Sequence, residues 1–257
     1  MRTLLSGVVF LLFLGSFCFA EDPTPTDVSG PSAQELFSQS DQAFETRHRA
    51  GNNVRSITLA EEALAKGGDE FEAKWRIARG CFWEAEVCGN EKCMTEYGEK
   101  GYKAGERAAE LRPNRVEGWY WGVIALGQYS TGIGTFKAFF KGIAGTYEKM
   151  VEKAIALDKN YGLAGPLRAY GRYWYAVPKV KRDLAKSEAM LRESVALSPK
   201  KLRSHFYLAE TYLAEEKRDL AKASLETCVN LKPEDEEYPD GIIFIKECRK
   251  LLEKEFK

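Results

Sequence analysis

Two arginines four residues apart are the clearest pair of charged side chains that could hold a ligand. Arg168 and Arg172 fall on one helical stretch, and residues at i and i+4 share a helix face. Two neighbouring guanidinium groups can grip a carboxylate through parallel N–H donors. Alternatively, each arginine forms a salt bridge to a neighbouring helix. The pair therefore predicts either a carboxylate-binding site or an interhelical contact.

A segment rich in glycine and phenylalanine, residues 129–147, is a second place where chemistry could occur. Glycine inside a helix costs about 1 kcal/mol relative to alanine, so its glycines are better explained by a backbone or a ligand passing close by. Its apolar residues recur at helical spacing and form one stripe, which either packs on a neighbouring repeat or lines a groove or pore. They are Ile133, Phe136, Phe139, Phe140 and Ile143.

Aromatic side chains cluster on the two stretches beside this segment. Tyr170 and Tyr173 lie in a run of aromatics that covers several faces of one helix, and Trp119 begins a similar run one repeat earlier. Aromatics at these positions usually form core. Tyrosine and tryptophan also carry a polar group that suits recognition of a ligand or partner on a concave wall.

Other kinds of chemistry find no support in the residues. The sequence has no nucleophile elbow, phosphate loop or HExxH zinc motif, and we expect neither an enzyme nor a cofactor. Metal binding is not expected, since there is no paired CxxC set and only two histidines. The 257 residues carry 38 basic and 38 acidic side chains, a balance that argues against a nucleic-acid partner.

The first twenty residues have the pattern of an export signal. Arg2 precedes an apolar run that ends at Ala20, with small residues at the cleavage positions. We expect cleavage after Ala20; the alternative is a lipoprotein whose lipid is attached to Cys18. Residues 21–32 are rich in proline, threonine and serine and predict a disordered linker. Residues 33–257 are then expected to form a single helical-repeat domain.

Export favours disulfide bonds, because oxidising compartments preserve them. Cys88 and Cys93 flank a short polar loop containing glycine, which predicts a local disulfide. Cys228 and Cys248 lie on the last two predicted helices and can meet if those helices pack antiparallel. Cys81 is expected to be a buried free thiol. The alternative is that all of these cysteines are reduced core residues.

The elements that position these residues are helices arranged in repeats. Residues 202–233 match the pattern of a tetratricopeptide repeat, with Leu208, Ala209, Tyr212, Ala221, Leu225, Cys228 and Pro233 at its characteristic places. Similar helix endings recur at Leu64, Leu111, Leu157, Leu197 and Leu231, with gaps of 47, 46, 40 and 34 residues. The predicted fold is an all-α solenoid of about four degenerate helix pairs and a C-terminal capping helix. One of its helices spans residues 135–157.

Taken together, the export signal, the stretched repeats, the Gly/Phe-rich insertion and the aromatic helix end at residues 171–178 resemble the tetratricopeptide T-component proteins of TRAP transporters. The resemblance implies a periplasmic, trimeric protein that partners a solute-binding protein. It also implies a hydrophobic channel for an apolar or carboxylated ligand. On this sequence the channel lining falls on the insertion and on Trp119, Tyr170 and Tyr173. The alternative function is an envelope scaffold that binds a peptide or partner helix in its concave groove.

Overall fold

The computed structural model of the protein describes residues 30–233 and 238–256, whose regular elements are all α-helices. The predicted signal peptide and residues 21–29 of the predicted linker lie outside the described residues. The helices are, in chain order, α1 (Ala33–Glu45), α2 (Asn52–Ala65), α3 (Glu70–Val87), α4 (Glu91–Leu111), α5 (Val116–Gly132), α6 (Thr135–Phe140), α7 (Ile143–Asp158), α8 (Tyr161–Ala176), α9 (Leu184–Leu197), α10 (Leu202–Ala214), α11 (Arg218–Asn230) and α12 (Tyr238–Phe256).

Several helices begin at a side chain that caps their free N–H groups. The Ser32 hydroxyl accepts from the backbone N–H of Glu35, whose carboxylate accepts from the N–H of Ser32, a complete capping box. Asp69, Asn90 and Asp183 each accept one backbone N–H at the start of α3, α4 and α9. These capping residues are visible in the sequence, so the starts of the helices are encoded locally.

Successive helices pack as antiparallel pairs, and there are five pairs in the described residues instead of about four. They are α1 with α2, α3 with α4, α5 with α7, α8 with α9, and α10 with α11. The capping helix α12 lies against α10 and α11. Each of the five recurring leucines, Leu64, Leu111, Leu157, Leu197 and Leu231, lies at or next to the end of the second helix of one pair.

The pair formed by residues 202–233 has the packing that its pattern predicts. Ala209, Ala221, Leu225 and Cys228 are completely buried between α10 and α11 and their neighbours. Small side chains at three of these positions allow the two helix backbones to approach closely. This pair is the regular copy against which the stretched pairs can be compared.

The closest helix contact in the described residues occurs elsewhere, between α4 and α5. A Cβ atom added to Gly105 would lie 2.2 Å from the Cα of Gly122, and one added to Gly118 would lie 2.4 Å from the backbone nitrogen of Ala109. Only glycine fits at such crossings. Glycine therefore does mediate a close backbone approach in this protein. The approach is between α4 and α5, whereas the sequence pattern predicted it in residues 129–147.

The insertion is built differently from the prediction. Instead of one helix over residues 135–157, α6 ends at Phe140 and α7 begins at Ile143, because Gly142 adopts a left-handed conformation (φ 74°). Gly134 also has a positive φ of 90°, and a Cβ atom on either glycine would meet no other atom within 4 Å. These glycines form turns; they do not make room for a ligand or a backbone.

Residues 31–233 and 238–256 belong to one compact unit. Its largest core cluster joins α5, α7 and α8 around Val123, Tyr147, Val151 and Trp174. Within residues 30–233 and 238–256, every helix is too short or too polar to cross a membrane.

Candidate functional site

Side chains from distant repeats meet on one surface of the first helices of the pairs. These helices, α1, α3, α5, α8 and α10, lie side by side along the solenoid, which places them on its inner layer. Most side chains on this surface are partly exposed. We call it the inner face; it consists of Asp41, Phe44, Arg47, Trp75, Arg76, Arg79, Phe82, Glu86, Trp121, Tyr161, Arg203 and Asp240.

Phe44 is the centre of an arginine–aromatic cluster on this face. The guanidinium carbon of Arg79 lies 4.1 Å from the centroid of the Phe44 ring, and that of Arg47 lies 4.3 Å from it. Arg79 also lies over Trp75, at 4.9 Å, and Arg47 over Trp83, at 4.7 Å. Stacking fixes the planes of both guanidinium groups. The ring thus holds two cations at defined positions.

Asp41 balances only part of this charge. Its carboxylate accepts two hydrogen bonds from Arg76, at 3.0 and 2.8 Å, and one from Arg79 at 2.6 Å. Burial alone would raise the pKa of Asp41, but the two arginines outweigh it and lower that pKa. The carboxylate is therefore ionised and committed to Arg76 and Arg79, and it does not contact Arg47.

Arg47 and Arg79 retain unused hydrogen-bonding capacity. Within the described residues, the buried Nε atom of each has no hydrogen-bond partner. Loss of hydration lowers the pKa of Arg47 to about 10, opposed by Asp240 and reinforced by Arg79 and Arg203. Loss of hydration also lowers the pKa of Arg79. An anion bound beside these guanidinium groups would offset part of the desolvation of both cations.

A buried ion cluster around Asp240 lies within electrostatic range of Arg47 on the same face. Asp240, at the start of α12, pairs with Lys201 at 2.7 Å and with Arg203, which also reaches Glu86 on α3 at 3.3 Å. Burial would raise the pKa of Asp240, but Arg203 and Lys201 hold it well below its usual range. Because Glu86 and Arg203 are 117 residues apart, this cluster ties the first half of the solenoid to the last.

Aromatic rings link α1, α3, α5 and α8 on this face. Trp121 lies 6.2 Å from Phe44, 6.3 Å from Phe82 and 6.4 Å from Tyr161, measured between ring centroids. Its indole N–H donates to the Tyr161 hydroxyl at 2.9 Å. The rings meet edge-on or tilted, at 78°, 48° and 82°, and they place apolar and cationic groups side by side on one surface.

The two arginines predicted from sequence each have a structural partner. Buried Arg168 donates to the carbonyl oxygens of Leu163, at 2.7 Å, and Gly162, at 3.3 Å. These carbonyls belong to a left-handed turn that covers Gly162, Leu163 and Ala164 at the start of α8. Such a turn is unfavourable for non-glycine residues, and Arg168 stabilises it by satisfying its carbonyl groups.

Arg172 instead forms the interhelical salt bridge that was the alternative prediction. Its guanidinium donates to Glu210 on α10 at 2.7 Å and lies over the rings of Tyr175 and Tyr207. Arg168 and Arg172 therefore do not act together on a carboxylate.

The residues predicted to line a channel separate into two groups. Trp119, Ile143, Tyr170 and Tyr173 pack in or against the core cluster of α5, α7 and α8. Phe136 and Phe140 are 70% and 81% exposed on α6. Phe139 lies edge-on to Phe140 and is half-buried, as is Ile133. The continuous apolar stripe does not form, because the turn at Gly142 interrupts the helix that would carry it.

The five cysteines of the described residues form two disulfides and one free thiol. Cys88 is bonded to Cys93, and Cys228 on α11 to Cys248 on α12, whereas Cys81 is buried and free. Burial raises the pKa of the Cys81 thiol to about 12, so it is a poor nucleophile.

Sequence reasoning missed the inner face, although a partial signal was present. Arg76 and Arg79 are three residues apart on α3, beside Trp75, and share a helix face, whereas Arg47 follows Phe44 by three residues in the turn after α1. This recurrence of arginine beside aromatic residues is a partial signal, but it does not show that the two clusters meet.

This geometry defines the class: an all-α protein of tetratricopeptide-like helix pairs with an arginine–aromatic inner face. A solved structure of that class confirms the predicted helical-repeat fold. A thermophilic TPR protein from Thermus thermophilus superposes with a TM-score of 0.64, at 19% identity, over 85% of this chain and 100% of that chain. The yeast Tom70 structure aligns over 91% of this chain and 68% of its own, with a TM-score of 0.31 and 14% identity.

The chain belongs to the family described as regulator of microtubule dynamics protein 1-3, which it matches over residues 36–187, more than half its length. No curated protein matches it. The comparisons do not support the resemblance to TRAP T-component proteins.

Proposed function

We propose that this protein is an interaction scaffold whose inner face binds an acidic segment of a partner protein. The observation that carries the proposal is the cluster at Phe44, where Arg47 and Arg79 are held in place and each retains an Nε atom without a partner. The tetratricopeptide-like fold supports protein partners in general. We infer that the protein acts by binding and does not catalyse a reaction.

Charge on the inner face favours an acidic occupant. The ion pairs of this region join Arg76, Arg79, Lys201 and Arg203 to the carboxylates Asp41, Glu72, Glu86 and Asp240, and Arg47 adds a fifth cation that is in none of these pairs. Planar guanidinium groups that are already stacked on rings lose little freedom when they bind a carboxylate. A glutamate- or aspartate-rich peptide therefore fits this surface better than a basic one.

The family name makes microtubules one partner to test. The role implied by the TRAP resemblance, in which a trimer docks a solute-binding protein and passes an apolar or carboxylated ligand through a channel, has no support in the comparisons. The exposed positions of Phe136 and Phe140 also weigh against it. We therefore prefer the scaffold that was the alternative function.

Binding of a fluorescent hexaglutamate peptide, followed by anisotropy, tests the proposal. Removing both guanidinium groups with Arg47→Gln and Arg79→Gln should weaken binding by roughly a hundredfold, since each charged hydrogen bond contributes about 1.5–3 kcal/mol. The matched control is Arg107→Gln, which removes an exposed arginine of α4 that pairs with Glu70. Equal affinities for the double variant and the control would contradict the proposal. Co-sedimentation with microtubules, using the same variants, tests the family's partner.

A further inference from the structure

The helix α6 displays phenylalanine side chains to the solvent in a way that no packing requirement explains. Phe136 is 70% exposed and Phe140 is 81% exposed, and Val180 in the loop after α8 is 83% exposed. Single exposed apolar residues are ordinary on protein surfaces, but large side chains presented together indicate a surface that binds.

The backbone of α6 holds its two phenylalanines outward. Ala138 is buried against the body of the protein, and Phe136 and Phe140 lie two residues before and after it, on the opposite side of the helix. Gly134 and Gly142, both with positive φ, begin and end the helix in open space. The segment is thus a short platform attached through Ala138, with both rings directed away from the core.

The charges of this region are predominantly basic. Residues 129–147 include Lys137 and Lys141 and no acidic residue, and Lys179, Lys181 and Arg182 follow α8. Two carboxylates near this end are paired, Glu148 with Lys181 at 2.5 Å and Glu96 of α4 with Lys92 at 3.9 Å.

The α6 segment and the loop after α8 lie at the same end of the α7–α8 pair. The Lys181–Glu148 salt bridge joins the loop to the start of α7. Val177, before the loop, and Ile143, just after α6, belong to one core cluster. We call this region the α6 tip; it consists of Phe136, Lys137, Phe140, Lys141, Lys179 and Val180.

We propose that the α6 tip docks on the surface of a membrane that contains anionic lipids. Exposed aromatic and aliphatic side chains enter the interface between headgroups and acyl chains, while neighbouring lysines contact anionic headgroups. A six-residue helix with two exposed rings offers far less surface than the roughly 800 Å² per partner of a stable protein–protein interface. A lipid surface needs no such area and matches the charge. This inference is independent of the inner face and its partner.

Hydrogen–deuterium exchange of the full chain tests the proposal, because it reports on the α6 tip separately from any membrane contact of the first twenty residues. Vesicles of phosphatidylcholine and phosphatidylserine should slow exchange of peptides that cover residues 133–142. Vesicles of phosphatidylcholine alone should not. Replacing Lys137 or Lys141 with Gln should raise the vesicle concentration needed for half-maximal protection roughly fivefold per lysine.

Substitutions at the two rings complete the test. The double variant Phe136→Ser and Phe140→Ser should lose the protection of residues 133–142. Leu220→Ser, which replaces a half-exposed leucine on α11, should keep it. Protection that is absent in the unaltered chain would overturn the proposal. Protection that rises with protein concentration in the absence of vesicles would also overturn it, because it would indicate that a second copy of the chain covers the α6 tip.

Discussion

The inner face and the α6 tip both collect aromatic rings and cations, yet they are built for different tasks. On the inner face, rings and arginines are packed together and tied to Asp41 and Asp240, with side chains contributed by helices far apart in the chain. At the tip, the rings and lysines come from two short neighbouring segments and are largely exposed. Residue type alone therefore does not distinguish the two regions. The burial of the side chains and the partners that they contact do.

The largest expected difference between the two regions is in stability. Asp240→Ala removes the carboxylate that Lys201 and Arg203 share in a buried cluster. Breaking a buried ion pair in this manner costs about 3–5 kcal/mol. Urea denaturation should show a fall of that size in the free energy of unfolding. A loss below about 1 kcal/mol would mean that the cluster does not tie the two halves together.

The same carboxyl should make stability depend on pH. The folded-state pKa of Asp240 lies below its unfolded value, which is near 3.9. The carboxylate therefore contributes fully to the free energy of unfolding above about pH 3.9. That contribution is lost as the pH falls further. Denaturation midpoints measured from pH 6 downward should therefore drop below about pH 4, and less steeply in Asp240→Asn. Parallel curves for the two proteins would refute this assignment.

Exchanging arginine and lysine should have an effect of intermediate size, and that effect should differ between the inner face and the α6 tip. Arg79→Lys keeps the charge but loses the planar group that lies over Phe44 and Trp75, so affinity for hexaglutamate should fall about tenfold. Lys137→Arg at the tip should leave vesicle protection unchanged, because headgroup attraction depends mainly on charge. Anisotropy measures the first effect and hydrogen exchange the second. Unchanged peptide affinity in Arg79→Lys, together with altered vesicle protection in Lys137→Arg, would contradict the roles proposed for the two regions.

The smallest effect should come from the tip itself. Phe136→Ser with Phe140→Ser alters side chains that contribute little to the core, so the free energy of unfolding should change by less than about 0.5 kcal/mol. Thermal denaturation followed by circular dichroism is sufficient to check this. A loss of several kcal/mol would show that the rings are structural.

Local features of the fold were predictable from the sequence, because local sequence encodes them. Ser32 and Asp183 cap helices, and Ala209 and Ala221 occupy the small positions of a regular pair. The break at Gly142 was not predictable from periodicity, since the stripe of apolar residues continues at helical spacing on both sides of it. A helix pattern records which faces are apolar, but it does not record whether the backbone stays helical.

The inner face could not be derived because its contacts join residues from separate helices. Arg79 reaches Asp41 across 38 residues, and Arg203 reaches Glu86 across 117. Arg168 and Arg172 were visible because they are close in the sequence, but the positions of their partners depend on how the pairs stack. Sequence reasoning selected residues that are close along the chain, and these have structural roles. The residues of the candidate site are far apart in the sequence and were not recognised.

The most direct test of the proposed scaffold is the NMR signal of the arginine Nε–Hε groups. Adding hexaglutamate peptide should shift the signals of Arg47 and Arg79, whose Nε atoms have no partner within the described residues. The signal of Arg107, already paired with Glu70 on an exposed surface, should stay in place. The contrary result would be that, at saturating peptide, only the signals of exposed arginines such as Arg107 shift and those of Arg47 and Arg79 do not. That result would contradict the claim that the inner face is the binding site.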